Sequence, residues 1–236
     1  MTLLFSDNFD SQNDGDPLGA GWASWKGQAR VYWSEFVSPE NSCRIPVVAG
    51  WETVWTNPVL TTVGLCILDF KFKITWASHS IYGDSIQHEI KLKGLDAGVL
   101  KQVYNFQILT AQSPGTWIRM YCGGVWKDIV LDTWYRMVVF ADPATNLWYL
   151  YLGENPECNY VMYGGYTQAN GQGIGYVWMN AYTNSYFDDF EIYDSSGTPA
   201  PYLGLDPRLE VNGISRLIAE INEVPISHIA ELNEVS

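Results

Sequence analysis

The sequence predicts an all-β body, an antiparallel sandwich or barrel, on three observations. Aromatic residues fill 15% of the 236 positions, with 11 Trp and 15 Tyr, while charged residues reach only 17%. That balance favours strands and flat contact surfaces over helical bundles. Apolar and polar residues alternate with period two from residue 3 to about residue 193, the spacing that sends successive side chains to opposite faces of a sheet. Turn signals rich in Gly, Pro, Asn and Asp separate the alternating runs, and no helical periodicity intervenes.

Six runs read as strands in chain order: LCILDFKFKITW (65–76), SIQHEIKLKG (85–94), VYNFQILT (103–110), TWIRMYCGG (116–124), TWYRMVVFAD (133–142) and LWYLYLG (147–153). GLDAG, QSPG, GGVWKD and DPATN read as the turns between them. The early Trp22, Trp25, Trp33, Trp51 and Trp55 read as core or loop anchors, because Trp is highly buried on average. A cluster of Ser, Gly and Pro over 196–207 reads as a linker, which divides the chain into a body at 1–195 and a tail at 208–236.

In the tail the period changes. Ile214, Leu217, Ile218 and Ile221 follow the i, i+3, i+4, i+7 spacing of a helix face, and the apolar set continues with Val224 before Pro225 and with Ile226, Ile229, Leu232 and Val235 after it. IAEINEV at 218–224 returns as IAELNEV at 229–235. Helices this short are marginal alone, so the tail predicts a short helical or hook segment that lies against something. This recurrence, with only Ile221 replaced by Leu232, suggests two equivalent docking steps, as a homo-oligomer or a subunit lattice provides.

The formal charge is −13, which disfavours phosphate backbones and anionic lipid surfaces, so neither nucleic acid nor a membrane is expected as partner. The first residues carry no basic region followed by an apolar run, and the reading is of a chain made in the cytoplasm without a signal peptide. Cys43, Cys66, Cys122 and Cys158 are widely spaced with no C-x-x-C pair, which reads as mostly buried free thiols.

Alternation places Gln87 and Glu89 on one face of their strand, with Ile86, His88, Ile90 and Leu92 on the other. In the same way Asn105 and Gln107 oppose Tyr104, Phe106 and Ile108, while Trp117, Arg119 and Tyr121 oppose Ile118, Met120 and Cys122. If the three strands are neighbours, Gln87, Glu89, Asn105, Gln107, Trp117, Arg119 and Tyr121 form one polar and aromatic face suited to a glycan. Rings cover the C–H side of a pyranose, and amides and charges satisfy its hydroxyls. An ordinary solvated sheet face gives the same alternation. His88 reads as a core histidine rather than a base. Asp188 shares its predicted face with Phe190 and Ile192 and therefore needs a partner.

The opening LFSDNFDSQNDGDPLGAGW, the pair DTWYRMVVFADPATNLWYLYLG and the closing AYTNSYFDDFEIYD resemble the concanavalin A-like lectin and glucanase jelly rolls, including laminin G-like domains, over about 1–194. The resemblance implies a two-sheet jelly-roll sandwich. It also implies a Ca²⁺ that joins the first strand to the last, here through Asp7 or Asp10 with Asp188. Glucanases of this fold carry E-x-D-x-x-E or E-x-D-x-E on one strand; no such run occurs, so no catalytic residue is assigned. The tail resembles the short repeats at the ends of bacteriophage structural proteins, with Glu223 and Glu234 where Gly is usual. The two resemblances together imply a virion structural protein, a decoration or adhesion module held to other particle proteins by its tail. The alternative is a polysaccharide hydrolase or lyase that uses Glu89, Arg119 and Tyr121.

Overall fold

The computed structural model describes residues 2–37, 41–46, 52–57, 60, 64–75, 85–96, 99–110, 118–122, 125–142, 147–156, 158, 160–165, 174–181, 184–195, 210–211 and 214–215. In chain order its strands are β1 (Thr2–Asp7), β2 (Trp22–Ser24), β3 (Arg30–Tyr32), β4 (Ser42–Ile45), β5 (Glu52–Thr56), β6 (Leu65–Ile74), β7 (Ser85–Asp96) and β8 (Val99–Thr110). They continue with β9 (Ile118–Cys122), β10 (Val125–Ile129), β11 (Trp134–Asp142), β12 (Leu147–Glu154), β13 (Tyr160–Gly165), β14 (Tyr176–Ala181), β15 (Ser185–Ser195), β16 (Glu210–Val211) and β17 (Ile214–Ser215).

Two antiparallel sheets result. The first runs β13-β12-β11-β6-β15-β4-β3, and the second β10-β9-β8-β7-β14-β5-β2. In the first sheet β4 pairs with Ser185–Phe187 of β15, while β1 takes the same edge further along, opposite Phe190–Asp194. First and last strands of the body therefore close together. The all-β, two-sheet sandwich expected from the sequence is the observed architecture.

One core lies between the sheets. Cys66, Leu68, Phe70, Phe72 and Ile74 alternate inward from β6 and meet Ile90, Leu92, Val177 and Met179 from the second sheet. Trp22 sits at one end of this core, edge-on to Phe5 and Phe190 and stacked on Phe9. The first sheet is also buried on its other face, where Leu65, Ile67, Val138, Phe140, Tyr151 and Cys158 form a second cluster. Burial on both faces explains why LCILDF reads as a continuous apolar run.

Four expectations are corrected. GGVWKD is not simply a turn, because Val125–Ile129 forms β10 and pairs with β9 from Cys122 to Ile118. Asp188 does not share a face with Phe190. A bulge between Asp188 and Glu191 shifts the register, with Asp189 at φ +48°, so that Phe187 and Phe190 both enter the core and Asp188 falls opposite Lys71. Trp25 and Trp33 are exposed, at 68% and 59%, rather than core anchors. Ile214 does not open a helix but pairs with Val211 as part of a two-residue ladder; the remaining docking residues, Leu217 to Val235, lie outside the described residues.

Candidate functional site

The second sheet carries one uninterrupted row across six strands. Thr53 on β5 pairs with Asn180 on β14, Asn180 with Glu89 on β7, Glu89 with Gln107 on β8, Gln107 with Tyr121 on β9, and Tyr121 with Trp126 on β10. Five interstrand steps span about 24 Å. The next row holds Trp55, Trp178, Lys91 and Asn105. Buried residues between these rows face the core: His88 at 2%, Ile90 at 2%, Val177 and Met179 at 0%. The rows therefore belong to the face turned away from the first sheet.

Two aromatic platforms flank a polar strip on that face. Trp55 and Trp178 stack with centroids 5.3 Å apart, and Tyr121 and Trp126 meet at 4.6 Å. Between them Glu89 Oε2 accepts from Lys91 Nζ at 2.6 Å and from Asn180 Nδ2 at 3.1 Å. Lys93 Nζ stands 3.1 Å from the Trp178 ring centre. Burial, with Lys91 nearby, lowers the Lys93 amine to about 8. At the far edge Arg119 Nε donates to Asp128 Oδ1 at 2.5 Å.

The strip holds two unsatisfied polar atoms. Trp178 Nε1 and Asn180 Oδ1 are shielded from solvent and have no hydrogen-bond partner among the described residues. The bond from Asn180 Nδ2 to Glu89 fixes which amide atom is the oxygen. A buried polar atom without a partner costs about 1–3 kcal/mol.

The structure brings together three of the seven expected glycan residues in one row, Glu89, Gln107 and Tyr121, with Asn105 in the row beside them. Arg119 lies in register with Leu109, two positions along β9 from Tyr121. Gln87 falls at a bulge, since Ile86 pairs with Leu109 and His88 with Ile108. Ile86 is thus in the row of Arg119 rather than that of His88. Trp117 lies outside the described residues. His88 is a core residue, and its burial lowers it to about 3. Sequence reasoning missed Trp55, Trp178, Asn180 and Trp126, although YVWMNA alternates as cleanly as the strands it named.

The three acidic residues expected to hold Ca²⁺ do not converge. Asp7 accepts from Phe9 N and Trp22 Nε1, both at 2.8 Å; its burial raises its pKa. Asp188 accepts from Val37 N at 2.7 Å and Asp189 N at 2.8 Å. Asp10 accepts from Asn8 Nδ2 at 2.7 Å and Asn41 N at 3.0 Å. Each carboxylate serves backbone or side-chain N–H groups, and no group of three metal-ligating side chains occurs among the described residues. These residues do not fit a shared cation.

A polar cavity of about 680 Å³ opens on the first sheet beside Asp69, Lys71, Arg136, Asp189 and Glu191. Its two cations are paired, and four carboxylates, Asp7, Asp69, Asp189 and Glu191, stand in the lining with them. Arg136 grips Asp69 through Nε at 3.1 Å and a terminal nitrogen at 2.6 Å, and Lys71 pairs with Asp189 at 3.1 Å.

No protein-family model matches the sequence. No curated protein matches it either. Solved structures similar to the chain include the carbohydrate recognition domain of Emp46p in its metal-free form, at 11% identity and TM-score 0.49, covering 84% of this chain and 97% of that one. A lectin from Bauhinia forficata in complex with GalNAc matches at 10% identity and TM-score 0.49, over 83% and 100%. A sialidase matches at 9% identity and TM-score 0.47 over 81% of this chain, which spans only 18% of that protein. Likeness at this level is one of architecture and assigns no activity.

Proposed function

We propose that the chain is a carbohydrate-binding module that lays an extended neutral oligosaccharide across its second sheet without cleaving it. The observation that carries this reading is the pair of aromatic platforms, Trp55–Trp178 and Tyr121–Trp126, on either side of the Glu89–Lys91–Asn180 strip. The rings support the C–H faces of the sugars, and the carboxylate, ammonium and amide of the strip answer their hydroxyls. The second platform, Tyr121 with Trp126, lies three interstrand steps from Trp178, about 14 Å, which suits a chain of sugars rather than a single ring.

Binding without hydrolysis is supported by carboxylate spacing. Glu89 and Asp128 stand on β7 and β10, three interstrand steps or about 14 Å apart, wider than the roughly 5 to 10 Å that either glycosidase route needs. The module is carried on a phage or phage-like particle, as a decoration or adhesion protein, by the repeated tail at 208–236; the recurrence of IAE-[IL]-NEV supports this part.

Calorimetric titration of the full chain against a panel of neutral oligosaccharides tests the first part. At least one should bind, and Trp178→Ala and Asn180→Ala should each weaken it about tenfold while the melting temperature stays within a few degrees. Silence across the panel, or variants that bind as well as the parent, would sink the reading. Removal of 208–236 should abolish self-association or particle attachment, and an unchanged assembly would refute the docking role.

A further inference from the structure

A second cleft, remote in sequence from the sheet site, lies between the loop after β1 and the loop after β3. It encloses about 720 Å³ and is lined by Asp10, Gln12, Asn13, Asp14 and Asn41 on its polar side and by Trp33 and Phe36 on its apolar side. Both rings are exposed, Trp33 at 59% and Phe36 at 41%, and large exposed rings on a concave polar surface mark contact sites.

The loops that form the cleft are held firmly. Gly15, in the left-handed region at φ +82°, donates its N–H to Val31 O at 3.0 Å, and Val31 N donates to Asp16 O at 3.0 Å. Trp33 N donates to Asp14 Oδ1 at 3.3 Å, which ties the ring-bearing loop to the acidic one. Asn41 N donates to Asp10 Oδ1, and Asn41 Nδ2 to Gln12 O, both at 3.0 Å. The cleft does not have to be ordered by its ligand.

Its charge is one-sided. The amide donors of Asn13 and Asn41 are committed inward, the first to Asp16 Oδ2 at 3.1 Å and the second to Gln12 O. Two carboxylates, Asp10 and Asp14, line the cleft with no Lys or Arg among its lining residues. The charge of the lining therefore favours a ligand that brings a positive charge. With aromatic faces beside the carboxylates, a cation that also presents an apolar face gains twice, from ion pairing and from the ring quadrupole.

We infer that this cleft binds a pyranose bearing a protonated amine, the amine against Asp14 and Asp10 and the ring against Trp33. The site is distinct from the sheet face and does not rest on the reading given for it. Uronates and sialic acids are excluded by the same carboxylates.

The probes are a β-linked glucosamine tetramer, its fully N-acetylated counterpart and a galacturonate tetramer, each titrated into the full chain by calorimetry. The glucosamine tetramer should bind, weaken as salt is raised, and weaken at least tenfold in Trp33→Ala and in Asp14→Asn, both exposed positions whose change spares the core. Trp178→Ala should leave this binding unchanged, which separates its failure from failure of the sheet site. Equal binding of the N-acetylated or galacturonate tetramer to the Trp178→Ala variant, an unaltered affinity in both cleft variants, or no binding of the glucosamine tetramer overturns the inference.

Discussion

Trp55 and Trp178 stack across the β5–β14 pair with planes 27° from parallel, and Lys93 Nζ lies over the Trp178 ring, 3.1 Å from its centre. An ammonium over an indole perturbs its emission, so the stack reports the charge on Lys93. Burial and the nearby Lys91 lower this amine to about 8, with Glu89 opposing them. Tryptophan emission should therefore change with a midpoint near pH 8, and Lys93→Met should remove the transition. A flat emission profile between about pH 7 and pH 10 would show that the cation does not sit on the ring.

His88 sets a pH dependence of stability. It is 2% exposed on the core side of β7, and burial lowers it to about 3. In the unfolded chain its pKa is near the reference value of about 6.5. Between those values the unfolded state binds more protons than the folded one, so stability rises with pH across the window and falls as the solution is acidified. The loss attributable to His88 between pH 7 and pH 5 is about 2 kcal/mol. Urea melts of the parent and of His88→Leu at both pH values measure it. The parent should lose about 2 kcal/mol more than the variant, and equal losses would place a solvated, titrating imidazole at that position.

The period-two pattern located β6, β7, β8, β9, β11 and β12 because their inward residues, such as Leu68, Phe70 and Phe72, are apolar while charged residues interrupt the other side. What defeated the pattern was local backbone geometry. Asp188 and Asp189 look like any other alternating pair, yet the bulge and the left-handed Asp189 shift every following residue of β15 by one face. Ile86 was misplaced by the same kind of irregularity at Gln87. Gly123 and Gly124 read as the start of a long turn, whereas Val125–Ile129 returns along β9 as a strand. Of the sheet site, Glu89, Gln107 and Tyr121 were legible from alternation alone. Trp178 and Asn180 became its centre only once β14 was seen to lie between β5 and β7, which is a long-range pairing. The exposure of Trp33 depends on how two loops meet, and no spacing rule reports that.

Thiol reactivity should follow burial. Cys43 and Cys66 are free thiols, and both are buried, as is Cys158. Desolvation, joined by Asp7, Asp188 and Glu52, raises Cys43 well above the ordinary thiol value, and burial beside Asp194 pushes Cys66 to about 12. The thiolate is the reactive form, so both should resist iodoacetamide at about pH 8 in the folded chain and react once denatured. Peptide mass mapping reads each site. Rapid labelling of Cys43 without denaturant would contradict its place in the core.

Asp69 and Arg136 tie β6 to β11 on the face of the first sheet away from the main core, by two hydrogen bonds in a bidentate pair. The side chain of Asp69 is 4% exposed and that of Arg136 is 27% exposed. Asp69→Ala leaves the guanidinium half-buried without its carboxylate, which costs about 3–5 kcal/mol for a fully buried pair. Solvent reaches Arg136, so the expected loss is about 2–3 kcal/mol. Replacing both partners removes the stranded charge, and Asp69→Leu with Arg136→Met should recover most of that loss. Chemical denaturation of the single and double variants distinguishes the outcomes. A loss under about 1 kcal/mol for Asp69→Ala is what an ordinary surface pair would give, and it would mean that the pair does not secure the junction between the two strands.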